Sequence, residues 1–201
     1  MRVISGTAKG KRLKSVPGKG TRPTSDRVKE AMFSAIGPYF SGERVLDLYA
    51  GTGGLGIEAL SRGCGFAVFV DKDRRSMATV KENLQFTGLD SKAQCLNMSA
   101  ERAIAYLSKK GVSFDLLFID PPYHLPGIEQ QLEMMLRKQL IQPHALVVLE
   151  HDKTQHFPQA IHSLELIKKA EYGSTALSFY RNALEELLDE TREDSRISRE
   201  F

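Results

Sequence analysis

The chain has 201 residues, 41% apolar and 26% charged, ordinary values for a soluble globular protein of one domain with extensions or at most two small ones. No apolar run is long enough to cross a bilayer, the segment Met1–Gly6 lacks a signal-peptide stretch, and Cys64 and Cys95 are too few for a disulfide framework or a structural zinc site, so a reducing cytoplasm is expected. The net charge of +3 conceals an asymmetry: residues 1–30 hold nine basic against two acidic side chains, a net of +7, and the remainder sums to −4. That block suits a polyanion, or is simply a solvated basic hairpin.

In chain order, residues 1–20 alternate short β-type stretches with glycines. They predict a small hairpin with Val3-Ile4-Ser5 and Arg12–Val16 as arms. Thr24 or Ser25 is a plausible cap for a helix presenting Val28, Met32, Phe33 and Ile36 on one face, ended by Gly37-Pro38. From residue 44 strands alternate with helices. The expected strands are Arg44–Tyr49, Phe66–Asp71, Ala93–Asn97, Phe114–Asp120 and Ala145–Glu150, with helices near 54–62, 74–87, 99–110 and 128–139. This is the pattern of a doubly wound, mostly parallel α/β sheet. Leu164–Tyr172 and Thr175–Asn182 flank Gly173-Ser174 and predict a closing antiparallel hairpin, which a plain dinucleotide-binding fold lacks. The acidic tail from Glu185 reads as a frayed helix or disordered.

Four places carry chemistry. The first strand runs through Asp47 and Tyr49 into Gly51-Thr52-Gly53-Gly54-Leu55-Gly56, a glycine turn that opens a helix and lets a ligand approach the backbone. Asp47 would oppose a phosphate, and no P-loop lysine follows. The turn better suits a cationic ligand with an amino-acid end, such as S-adenosylmethionine; otherwise Asp47 only caps the turn. Asp71 ends the second strand 18 residues past Gly53, where an acid binds ribose hydroxyls; Asp73 is the alternative, or a helix cap. Ser99, followed by Ala100, can accept from an adenine amine or cap its own helix. Finally, a buried strand ends in Asp120-Pro121-Pro122-Tyr123. The prolines stiffen the turn, the carboxylate and a carbonyl can take N–H bonds, and the ring can stack on a planar amine. His124 reads as a pocket-edge residue, with a general base as the other reading; His144, His151, His156 and His162 show no ligand spacing.

Asp47–Gly53 and Asp120–Tyr123 together resemble the motifs of class I S-adenosylmethionine-dependent methyltransferases that modify amino groups on bases. Ile4–Leu13 and Arg22–Phe33 narrow the resemblance to the bacterial RsmD-like family, which methylates a guanine N2 in 16S ribosomal RNA. The similarity runs from about residue 2 to about residue 182. It implies a Rossmann-like sheet of seven strands with the last antiparallel. Residues 1–42 would be a basic RNA-docking hairpin and helix, 43–183 the methyltransferase domain, and 184–201 an acidic tail. It also implies that Asp47, Gly51 and Gly53 border the methionine part of the cofactor and Asp71 its ribose, with Tyr49, Ser99 and Ala100 completing the site. Ser99-Ala100 departs from the family's frequent Asp-Ala.

On this resemblance Asp120 and the Pro121 carbonyl orient the guanine N2 and Tyr123 stacks on the base, while Lys9, Lys11, Arg12, Lys14 and Arg22 touch phosphates. S-adenosylhomocysteine would be the product, with no metal, no membrane and no obligate protein partner expected, and 16S rRNA met within a small-subunit particle. The rival readings are a DNA adenine-N6 methyltransferase, which would want a separate target-recognition domain, and a non-catalytic ribosome-assembly factor.

Overall fold

The structure, a computed structural model, describes residues 1–17, 26–122 and 125–183. The cap expected at Thr24 or Ser25, Arg22, Tyr123, His124 and the acidic tail lie outside these residues. The helices are α1 (Asp26–Ile36), α2 (Gly54–Ser61), α3 (Arg74–Thr87), α4 (Ala100–Lys109) and α5 (Ile128–Arg137). The strands are β1 (Arg44–Asp47), β2 (Phe66–Val70), β3 (Ala93–Leu96), β4 (Phe114–Ile119), β5 (Ile141–Asp152), β6 (Ala160–Ile161), β7 (Leu164–Tyr172) and β8 (Thr175–Asn182). They form one sheet in the order β3-β2-β1-β4-β5-β8-β7-β6. The first five strands in this order pair in parallel, and the three pairings β5–β8, β8–β7 and β7–β6 are antiparallel.

The sheet has eight strands, not seven. The additional β6 is a two-residue edge piece paired with β7, too short to leave a pattern of alternation. β5 also starts four residues earlier than expected. Pro143 and His144 lie in the added stretch, and Pro143 has no amide donor to give a ladder. The ladder absorbs them through a register shift opposite Phe114 and Leu116, with His144 at φ 62°.

Strand alternation builds two cores. Val45, Phe69, Phe118, Val148 and Phe179 face α1, α2 and α3, while Leu46, Val70, Leu117, Leu149 and Tyr180 face α4 and α5. α1 buries Val28, Met32 and Phe33 as its periodicity predicts.

The N-terminal segment joins the first core through Val3, Ala8 and Leu13. Its pairing is offset from the expected arms: Arg2 bridges Arg12, the Val3 amide donates to the Lys11 carbonyl at 2.9 Å, and the Leu13 amide to the Met1 carbonyl at 3.1 Å. Ile4 and Ser5 leave this pairing because their amides donate to the Glu58 carboxylate of α2 at 2.8 and 3.0 Å. Gly6, at φ 83°, must be glycine: a Cβ there would lie 1.7 Å from the Ser61 carbonyl oxygen. Glu58 also pairs with Lys29 at 3.1 Å and Arg62 at 2.7 Å, and Lys29 and Glu58 are both 0% exposed. One buried carboxylate thus fastens the N-terminal segment, α1 and α2 together.

Candidate active site at the carboxyl edge of the sheet

β1 pairs with β2 on one side and β4 on the other, so the chain's strand order reverses at β1. In doubly wound sheets the ligand crevice opens at the carboxyl ends of the strands at this reversal. The loop after β1 stays fixed at its root: the Leu48 amide donates to the Phe118 carbonyl and the Ala50 amide to the Val70 carbonyl. It then turns through Gly51 at φ 54° and Gly53 at φ 79°, left-handed positions that favour glycine. At Gly53 a Cβ would also crowd Ile57 and Val80 at 3.2–3.3 Å.

Two carboxylates hold this turn. Asp47, at the end of β1, is buried and accepts from the Gly56 amide at 3.0 Å. Burial pushes its carboxyl up to about 7, against the Gly56 hydrogen bond and with a further contribution from the negative Asp71. Asp71 accepts from the Gly51 amide at 3.0 Å with one oxygen and from the Asp73 amide at 2.8 Å with the other. Asp73 instead caps α3 by accepting from the Arg75 amide. The two acids after β2 therefore divide: Asp71 lies on the glycine loop and Asp73 serves the helix.

Ser99 caps α4, accepting from the Arg102 amide at 3.4 Å, and Ala100 is buried behind it. The Tyr49 hydroxyl donates to Gln131 Oε1 at 2.7 Å, and Gln131 Nε2 donates to Glu101 at 3.1 Å. Burial pushes the Tyr49 phenol up to about 12, so it remains a donor and ties the β1 loop to α5 and α4. Asn83 of α3 gives no sequence signal of its role. It is fully buried and donates through Nδ2 to the carbonyls of Thr52, at 2.9 Å, and Lys14, at 3.1 Å, while accepting from the Lys14 amide. The glycine turn is thereby clamped to the N-terminal segment.

Asp120 follows β4 and lies in a pocket with Pro121, Pro122, Leu125, Ile128, Glu150, His151, Gln155 and Phe157. Burial, then the neighbouring Glu150 and Asp47 carboxylates, push its carboxyl well above the usual carboxylate range. Tyr123 falls outside the described residues. The far wall is contributed by β5 and the loop after it, which hold none of the residues expected at the site from sequence. His151 is buried, with Nδ1 2.8 Å from the Asp152 carbonyl oxygen, Nε2 2.9 Å from Ser178 Oγ, and Phe157 packed edgewise at 4.8 Å.

The basic residues lie on the N-terminal segment around the corner from this edge. Lys9 and Arg12 are exposed, and Arg12 lines an open depression with Met1, Arg2, Leu13 and Asp26. Lys11 donates to the Phe86 and Thr87 carbonyls at 3.1 and 3.2 Å and lies over the Phe86 ring. Lys14 pairs with Glu82 at 2.8 Å. Arg22 is outside the described residues. Met1 connects the two regions: its thioether lies against Gly54, where a Cβ would come within 2.3 Å of the sulfur. Among the described residues no three His, Cys, Asp or Glu side chains converge as a metal site, and no helix is long and apolar enough to cross a membrane.

The model of the family described as conserved hypothetical protein 95 matches residues 1–181. The chain is 44% identical over 181 residues to Bacillus subtilis YlbH, provisionally named an rRNA methyltransferase, covering 90% of this chain and 98% of that protein. It is 32% identical over 185 residues to ribosomal RNA small subunit methyltransferase D of Haemophilus influenzae, covering 90% and 94%. Among solved structures it is similar to Escherichia coli yhhF, provisionally described as a methyltransferase, at 29% identity and a TM-score of 0.78, covering 92% of this chain and 99% of that one. The fold is that of the Rossmann-like methyltransferases.

Proposed function

Because the chain belongs to the conserved hypothetical protein 95 family, the family of ribosomal RNA small subunit methyltransferase D, we propose that it transfers a methyl group from S-adenosylmethionine to the N2 amine of a guanine in 16S ribosomal RNA. The observation that carries this reading is the adjacency of the Asp47–Asp71 glycine turn and the Asp120 pocket across neighbouring strands β1 and β4. The turn fits a cationic cofactor: burial pushes the Asp47 carboxyl up to about 7, and a positive group beside it favours the charged form.

Asp47, Tyr49, Gly51 and Gly53 would border the amino-acid end of the cofactor, Asp71 its ribose, and Ser99 and Ala100 its adenine. S-adenosylmethionine supplies a methyl group already activated on a sulfonium and leaves as S-adenosylhomocysteine. The chain's own task is then placement. Asp120 and the Pro121 carbonyl accept the two N2–H bonds, aim the nitrogen lone pair and stabilise positive charge as it develops there; the surplus N2 proton is released to solvent after the transfer. Tyr123 stacks on the flipped base.

Residues 1–42 act as the docking element for RNA within a small-subunit particle, with Lys9, Lys11, Arg12, Lys14 and Arg22 on phosphates. The Lys14 ammonium sits in an exposed ion pair with Glu82, and such pairs cost about 0–1 kcal/mol to break. The test is methyl transfer from labelled cofactor to 16S rRNA, free and in small subunits, with the labelled nucleotide mapped. Label on a guanine N2 is expected; label on an adenine, or none on rRNA, overturns the reading.

A further inference from the structure

The large side chains that α3 turns outward are polar, Arg74, Arg75, Lys81, Glu82 and Gln85, with one exception. Phe86, in its last turn, is 57% exposed, while Leu84, Thr87 and Leu89 around it are buried. An exposed phenylalanine forgoes most of the gain from burial, and lysine, glutamine or glutamate would serve the helix better at this position. We infer that Phe86 is a stacking platform for an unpaired nucleotide of the RNA, with Lys11 beside it for the adjoining phosphate. The inference rests on the RNA-docking reading above and carries that surface from the N-terminal segment onto α3.

Lys11 Nζ lies 5.6 Å from the Phe86 ring centroid and donates to the Phe86 and Thr87 carbonyls at 3.1 and 3.2 Å. These bonds cap the C-terminal end of α3 and hold the ammonium beside the ring. An ammonium carries one donor more than they use, so a phosphate can be met without breaking them. The surroundings are cationic. Lys9 and Arg12 are exposed on the segment that carries Lys11, and Arg74, Arg75 and Lys81 on α3, whose only acid, Glu82, is paired with Lys14. An unpaired nucleotide satisfies both groups, because its base offers a flat face to the ring and its phosphate a charge to the ammonium. A duplex keeps its bases stacked on one another and offers this corner phosphate alone. α3 leads away from the Asp71–Asp73 turn at about 1.5 Å per residue, so Phe86 stands about 18 Å along the helix from Arg74. It grips RNA at a distance from the reacting base and takes no part in methyl transfer.

The test measures affinity for 16S rRNA against salt for wild-type protein, Phe86→Leu and Phe86→Tyr. Phe86→Leu is expected to weaken binding about 5- to 150-fold at every salt concentration, the range for losing one base–aromatic stack. The slope of log affinity against log salt should stay as in wild type, because no phosphate contact is lost. Phe86→Tyr keeps the ring and should bind within about twofold of wild type. In methyl transfer Phe86→Leu should raise KM and leave kcat and cofactor affinity unchanged. The chain has no tryptophan, so Phe86→Trp places a single indole reporter at this point. Its fluorescence should be quenched by single-stranded oligoadenylate and not by an RNA duplex of the same length. Wild-type affinity in Phe86→Leu, or equal quenching by duplex and single strand, overturns the inference and leaves the methylation reading standing. A flattened salt slope in Phe86→Leu also overturns it, since the ring would then act only by holding Lys11. Failure of wild-type protein to bind 16S rRNA overturns both the inference and the RNA-docking reading.

Discussion

The Asp71 carboxylate spans two turns: one oxygen accepts from the Gly51 amide at 3.0 Å and the other from the Asp73 amide at 2.8 Å. The glycine loop and the entry to α3 are therefore set by one side chain. Asp71→Ala leaves both amides without this acceptor and removes the proposed ribose contact. Cofactor affinity should fall at least about tenfold, as expected for losing a charged hydrogen-bond partner. Asp71→Asn, which keeps one acceptor oxygen, should fall between. Titration calorimetry with S-adenosylhomocysteine measures both, and wild-type affinity in Asp71→Ala would remove Asp71 from the site.

Much of this edge was legible because it depends on local chain chemistry. Gly51 and Gly53 mark a left-handed turn wherever the strand leads, and Gly173 (φ 64°) marks the β7–β8 hairpin, whose predicted bounds are those observed. Glu150 as part of the Asp120 pocket lining was not legible, for the opposite reason. As the last residue of an apolar strand it reads as the point where burial stops, and only the β4–β5 register sets it beside Asp120. A paired acid at the carboxyl ends of two neighbouring strands was the available signal. Asn83 left none: a polar residue in mid-helix reads as solvent-facing, and its burial depends on the N-terminal segment folding across α3. Lys29 and Glu58 likewise read as the exposed positions of helices until that segment covers them.

Asp47 links stability to pH. Its carboxyl is raised from 3.8 to about 7 by burial, so between these values the folded chain holds a proton that the unfolded chain has released. Its contribution to stability is therefore lost as pH rises through that window, at no more than about 1.4 kcal/mol per pH unit, and levels off above it. Asp47→Asn keeps an acceptor for the Gly56 amide and does not titrate. The melting temperature of the variant should gain on wild type from about pH 4 to about pH 7 and hold a constant lead beyond, a trend that thermal denaturation across buffers would detect. A pH-independent difference would mean that Asp47 is already ionised in the folded chain.

Glu58 is the hub of a buried charge cluster with Lys29 and Arg62, and it also receives the Ile4 and Ser5 amides. Glu58→Leu leaves two cations without their carboxylate and should cost about 3–5 kcal/mol, read by urea denaturation. Adding Lys29→Met should restore part of that loss, since it removes one of the stranded charges. A double variant less stable than Glu58→Leu would show that Lys29 contributes packing and its bond to the Arg2 carbonyl more than charge.

The basic N-terminal segment should bind RNA with unequal contributions from its cations. Lys9 and Arg12 are exposed, whereas Lys11 already donates to the Phe86 and Thr87 carbonyls and Lys14 to Glu82. Each phosphate contact adds about 0.7–0.9 to the slope of log affinity against log salt. Arg12→Ala and Lys9→Ala should each flatten that slope by close to the full amount. Lys14→Ala should flatten it as well but weaken binding less, because the wild-type lysine must first leave Glu82. Glu82→Ala should tighten RNA binding by freeing Lys14. Binding isotherms from low to moderate salt give all four values, and slopes unchanged from wild type would assign this segment to a solvated surface and move the RNA interface elsewhere.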